Sequence, residues 1–206
     1  MFKLLTFSCL IALTGFLVSG CYPGGADFTE DYDVVYTNHS ASYDFQSKGT
    51  YAMPDKIVVD VEFDHGDTTV VYMKDIYAVP ILAQIDQNMA NLGWTKVDIS
   101  ATPDVLLTPA GLSSTYFYYD YWYCWWYGGW YGGWGWYYPP YVTISSFTTG
   151  TLLMTMQDPN TDSPINSSEA VWVVGIHGVL SGAYNVGRIT TGIDQAFKQS
   201  PYLKTN

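Results

Sequence analysis

The chain has 206 residues, with 8 Lys or Arg against 19 Asp or Glu and a formal net charge of -11. That length fits one domain with a real core, and so acidic a balance excludes nucleic acid as a partner, because few cations are available to neutralise phosphates. Aromatic residues make up 17% of the sequence and charged residues only 13%, the reverse of the usual order in a soluble domain.

Met1-Phe2-Lys3 is a short basic start, Leu4 to Val18 is an apolar run broken only by Thr6, Ser8, Thr14 and Gly15, and Ser19-Gly20 supplies small residues for a peptidase. This is the pattern of a signal peptide over residues 1–20. An apolar run of about 15 residues falls short of the roughly 20 that an α-helix needs to cross a bilayer, so a spanning helix is not expected. Leu17-Val18-Ser19-Gly20-Cys21 resembles the bacterial lipobox. The resemblance implies that Cys21 is acylated, with palmitate among its chains, and becomes the first residue of the mature protein. Each buried methylene contributes about 0.8 kcal/mol, so several chains together hold a protein stably on a membrane.

Cys9 leaves with the signal and Cys21 is consumed by the lipid, which leaves Cys124 between Tyr123 and Trp125. With no basic neighbour in sequence to favour a thiolate, Cys124 reads as an apolar filler and not as a nucleophile. Residues 21–42, with Pro23-Gly24-Gly25 and then Asp27, Glu30, Asp31 and Asp33, read as a flexible acidic tether. A single domain is expected over residues 43–206.

Within that domain, residues 47–53 and 56–63 have strand character, and Gly66 turns the second strand. Pro80 suits the first turn of a helix whose Leu82, Ile85, Met89 and Leu92 lie on one face and which Gly93 ends. Residues 94–99 and 105–108 read as further strands divided by Pro103-Asp104. In residues 150–157, Leu152, Met154 and Met156 share one face, and in residues 170–180 Trp172, Val174, Ile176 and Leu180 do so. Residues 158–168 between them, rich in Asp, Asn, Ser and Pro, suit a hairpin loop. Val186, Ile189, Ile193 and Phe197 mark a second amphipathic helix ending near Ser200-Pro201. The expected architecture is α+β, a two-layer sandwich in which an antiparallel sheet carries both helices on one face and a long aromatic, Gly-rich insertion interrupts it.

Asp31-Tyr32-Asp33, Thr50-Tyr51-Ala52, Leu92-Gly93-Trp94, Pro103-Asp104-Val105, Gly150-Thr151-Leu152 with Asp158, Val171-Trp172 with Gly175, and Arg188-Ile189 with Pro201 occur in this order. The series resembles the domain-of-unknown-function 4136 family of bacterial lipoproteins, and it implies an α+β lipoprotein domain without a known activity. Two departures stand out: residues 56–74 look like added strand-rich sequence, and Val173-Val174 stands where the family commonly has a basic residue.

The insertion, residues 116–141, holds 17 of the 36 aromatic residues, six of the eight Trp and a single charge, Asp120. Half-exposed rings of about 200 Å² each would present on the order of 1,700 Å², several times the roughly 300–600 Å² patch a soluble monomer tolerates. Three readings follow. The rings fold onto an uncovered sheet face, settle at the headgroup level of a membrane, or form a platform for a glycan or an envelope protein. Trp130, Trp134 and Trp136 are the contact candidates, because the glycines beside them leave their faces accessible.

Reaction chemistry is sparse. The carboxylates Asp60, Glu62, Asp64 and Asp67 fail the calcium-loop pattern, since Val71 stands where a bidentate Glu is required. His39, His65 and His177 have no ligand spacing, and no nucleophile elbow, phosphate loop or CxxC motif occurs. No catalytic residue, metal or cofactor is therefore assigned. The expected protein is a non-enzymatic binding or structural module, lipid-anchored in the bacterial cell envelope with the outer membrane favoured. Its expected partners are the membrane and a glycan or envelope protein. The alternative is an envelope hydrolase whose site is assembled from distant residues.

Overall fold

The computed structural model describes residues 34–64, 67–112, 150–159, 170–180 and 184–206. Cys21, most of the tether and the insertion at 116–141, with Trp130, Trp134 and Trp136, lie outside the described residues. The strands are β1 (Val35–His39), β2 (Thr50–Ala52), β3 (Val58–Asp64), β4 (Asp67–Tyr72), β5 (Thr95–Lys96), β6 (Val105–Leu112), β7 (Thr151–Gln157) and β8 (Ala170–Ile176). Two α-helices, α1 (Asp75–Asn91) and α2 (Val186–Lys198), complete the framework.

The strands join one sheet in the order β1-β8-β7-β6-β2-β5. Pairing is antiparallel from β1 to β6, while β2 runs parallel to β6, and β5 parallel to β2. The sheet is thus mixed. The first half of β6 is paired by β2 at Val105 and Leu106, and its far half by β3 at Ala110, with β4 folding back on β3 as a hairpin. Pro109, which has no N–H to give a ladder, falls between those two stretches. The hairpin of β3 and β4 lies within residues 56–74, the stretch that departs from the family pattern.

One sheet face carries the main core. Val105 and Leu107, Leu152, Met154 and Met156, and Trp172, Val174 and Ile176 meet Ile81, Ile85 and Met89 of α1 and Ile189, Ile193 and Phe197 of α2. Each helix buries one stripe at three- and four-residue spacing, so helices and sheet form the two layers of an α+β sandwich. Helix α2 rests close on β8, where a Cβ on Gly192 would stand 2.6 Å from Ile176 Cγ2. Asp194 Oδ1 ties the helices together by accepting from Gln84 Nε2 at 2.6 Å and Asn88 Nδ2 at 2.7 Å. The opposite face also is buried, through Leu106, Ala110, Leu112, Leu153 and Val173 with Thr108, Thr155 and Gln157 among them.

Helix α1 closes as its glycine implies. Gly93, at φ 94°, donates to Ala90 O and Trp94 N donates to Met89 O, which satisfies the last carbonyls in a left-handed cap. Its start lies upstream of Pro80, which sits inside the helix rather than in its first turn. Residues 35–39, which composition places in the tether, form the edge strand β1 and belong to the sheet. Residues 94–99 contribute only the two-residue β5 and then a 3-10 turn over Ile99–Ala101. No helix among the described residues is long and apolar enough to cross a membrane.

Candidate functional site

Buried polar chemistry collects at one end of the sheet, where β7 stops, β8 begins and the chain leaves α2. Asp158, directly after β7, is 3% exposed, and its Oδ2 accepts from Tyr43 Oη at 2.8 Å and from Lys48 Nζ at 2.9 Å. The Lys48 ammonium also stands 5.6 Å from the centre of the Tyr43 ring. Beside this group His39 stacks on Tyr202 at 3.7 Å, and Tyr43 meets Phe45 edge-on at 4.8 Å. Ser200 Oγ accepts from Trp172 Nε1 at 3.0 Å and lies 3.1 Å from Tyr202 Oη. Trp94 Nε1 donates to Leu203 O and Thr205 N to Leu92 O, so the C-terminal residues are fastened across the same end.

A second tyrosine–carboxylate–lysine group repeats the pattern closer to water. Tyr51 Oη donates to Asp86 Oδ1 at 2.7 Å and Lys96 Nζ to Asp86 Oδ2 at 3.0 Å, which links β2, α1 and β5. Burial, then the hydrogen bond to Asp86 and its charge, raise the Tyr51 hydroxyl well above its ordinary pKa. Burial, then the bond to Asp158 and the charges of Asp158, Asp104 and Asp44, do the same to Tyr43. Both hydroxyls thus stay protonated in the folded chain where a free tyrosine ionises. The stability they contribute is whole below about pH 10 and is lost as the pH rises further. Alkaline unfolding that begins near that pH is expected, with a shallower loss in Tyr51→Phe. Circular dichroism recorded alongside phenolate absorbance checks this, and identical slopes for parent and variant contradict it.

Asp104 joins the first residues of β2 to those of β6. Burial alone would raise its carboxyl, but the backbone N–H groups of Gly49 and Thr50, the Thr50 hydroxyl and the Lys48 charge outweigh burial and lower it. The bonds run at 3.0, 2.9 and 2.8 Å to Asp104 Oδ2, and Asp104 N returns one to Thr50 Oγ1.

These groups act as fasteners. A tyrosine held protonated is no base, and both lysines give their charge to a carboxylate. His177, just past β8, lies 3.3 Å from Thr151 Oγ1, and burial lowers its pKa. Among the described residues, no three His, Cys, Asp or Glu side chains are grouped to hold a metal ion. Sequence reasoning took Asp158 for a loop residue and missed its junction, whose partners lie 115 and 110 residues away. Its one signal was that Asp104, Asp158, Tyr51, Trp94 and Trp172, all within the quoted motif series, supply the polar atoms of these fasteners.

The opposite end of the sheet is where the sequence-assigned functional segments attach. Val35 stands opposite Ile176, Ile176 opposite Leu152, and Leu152 opposite Gly111, so these four residues form one row across β1, β8, β7 and β6. Val34 and Leu112, the described residues next to those segments, therefore stand at the same end, about 15 Å apart at roughly 4.8 Å per strand spacing.

The chain matches the family described as "Domain of unknown function (DUF4136)" over residues 35–202, from the start of β1 into the last 3-10 turn. It is similar to the crystal structure of a DUF4136 family protein from Bacteroides thetaiotaomicron, at 27% identity and a TM-score of 0.62, covering 84% of this chain and 97% of that one. A PelC dodecamer from Paraburkholderia phytofirmans gives 7% identity and a TM-score of 0.40 over 84% and 99% of the two chains. A PDZ domain protein from Parabacteroides distasonis gives 14% and 0.41 over 82% and 36%. None of the curated proteins matches. With the motif series, the sandwich and the matched span in agreement, the chain belongs to the DUF4136 family.

Proposed function

We propose that the protein is a lipid-anchored component of the bacterial cell envelope, held at a membrane through acylated Cys21, with the outer membrane as its site. Its domain presents the aromatic segment as a non-enzymatic binding or structural element, with Trp130, Trp134 and Trp136 as contact residues. The partners are the membrane itself and a glycan or envelope protein. The observation that carries this reading is the closure of the hairpin on which the segment is mounted. β6 and β7 pair residue for residue from Leu106 opposite Gln157 to Leu112 opposite Thr151, and Gly150 N donates to Leu112 O at 2.7 Å. The ladder is therefore paired through to the last described residue on each side of 113–149. A long segment mounted on a rigid frame is where binding residues concentrate, and Tyr and Trp rings suit both headgroups and sugar faces.

Replacing residues 116–141 by a short Gly/Ser linker tests the reading. The expected result is a protein with the parent circular dichroism and unfolding transition that no longer retains the glycan, lipid or envelope protein captured by the parent from envelope extracts. A variant that unfolds, or one that captures the same material as the parent, contradicts it.

A further inference from the structure

We infer that the end of the sheet at which β1 begins and β6 stops is the end the domain turns toward a lipid bilayer. This rests on the anchored reading above and adds an orientation to it. Two independent observations meet there. The first is the row from Val35 to Gly111, which brings the exit of the Cys21 tether and both roots of the aromatic segment to one end. Residues 21–33 span at most about 45 Å when extended, which sets the greatest distance between the acyl chains and this end.

The second is where apolar side chains meet water. The exposed large hydrophobic residues among the described ones are Ile76 (72%), Val79 (61%), Val34 (58%) and Tyr36 (46%). Val34 and Tyr36 lie at the start of β1. Ile76 and Val79 lie in the first turns of α1, and that helix starts at the same end. Met73, two residues before α1, reaches within 4 Å of a Cβ placed on Gly111, and Tyr77 meets Tyr184, just before α2, at 5.0 Å. The opposite end carries the hydrogen-bonded and salt-bridged groups around Lys48 and Asp158 together with Lys198 and Lys204. One end of the domain is thus apolar at its rim and the other polar, the distribution expected of a body resting on the interfacial zone.

The charges at the apolar end include Lys74 and Asp75 at the start of α1, Asp60 level with Leu112, and Arg188 in α2, whose Nη2 donates to Gly178 O. Since β3 runs parallel to β6 with Val58 opposite Ala110, the backbone of β3 continues past the level of Leu112 in the same direction. With 19 Asp or Glu against 8 Lys or Arg the chain disfavours anionic lipid, so the surface that fits is zwitterionic.

The test uses the full acylated chain with Cys124→Ser, labelled with a polarity-sensitive fluorophore at Ile76→Cys, Val79→Cys or Asn206→Cys, in phosphatidylcholine vesicles that carry a nitroxide-lipid quencher. The expected result is a blue shift and loss of emission for labels at 76 and 79 and neither change at 206. Equal behaviour at the two ends in a vesicle-bound, acylated protein overturns the orientation while the anchor stands. A full-length protein that proves, when purified from membranes, to carry no acyl chain at Cys21 overturns the anchor and the orientation together. A blue shift at 76 that develops with protein concentration without vesicles assigns the patch to a second copy and overturns the inference.

Discussion

Trp172→Ala is expected to lower unfolding stability by about 4 kcal/mol, as for other large-to-small changes at fully buried aromatic positions. Trp172 is wholly buried on the helix face of β8, its ring centre 5.2 Å from that of Phe197, and its Nε1 bonds Ser200 Oγ. Removing the indole opens a cavity beneath α2 and unties the turn that leads to the C-terminal residues. Trp172→Phe keeps most of the apolar volume and loses the hydrogen bond, so about 2 kcal/mol is expected. Urea unfolding followed by circular dichroism measures both. An alanine variant within about 1 kcal/mol of the parent would show that β8 does not sit under α2 as described.

Asp158→Ala is expected to be destabilising by about 3 kcal/mol and Asp86→Ala by about 1 kcal/mol, although each carboxylate takes one tyrosine and one lysine. Burial makes the difference. Asp158 is 3% exposed where Asp86 is 36%, and water can replace Asp86 as the partner of Lys96 far more readily than it can reach the Asp158 junction. The Tyr43 hydroxyl would be left partly buried without this acceptor. Equal losses in the two variants would contradict the ranking. A larger loss for Asp86→Ala would mean that the α1 fastening dominates.

Much of this framework was legible because its signals are local. The stripes of α1 and α2 and the faces of β7 and β8 follow from three- and two-residue spacings within single segments, and Gly93 needs only its neighbours to end α1. The elements that escaped depend on contacts far along the chain. β1 is a five-residue edge strand beside an acidic run, and only its pairing with β8 distinguishes Val35–His39 from tether. Parallel pairing of β2 and β3 on β6 joins residues separated by more than 50 positions, which no periodicity records. Pro80 misplaced the start of α1, because its fixed φ suits any early helical position and its missing N–H frees only the carbonyl of Ile76, a residue exposed to water. The Asp158 junction was hidden for the same reason as the parallel pairs: a polar residue among Asn, Ser and Pro has the composition of a loop, and only the return of Tyr43 and Lys48 makes it a buried acceptor. Cys21 and the tryptophans at 130, 134 and 136 were singled out by motif and composition alone, and they lie outside the described residues.

The anchor is the central claim, and intact-mass and peptide mass spectrometry of the protein purified from membranes tests it most directly. The account predicts a chain that begins at Cys21 with a diacylglyceryl thioether on its sulfur, and a Cys21→Ser protein that retains residues 1–20 and takes up no labelled fatty acid. A mature chain that starts elsewhere, or a Cys21 found as an unmodified thiol, would contradict it.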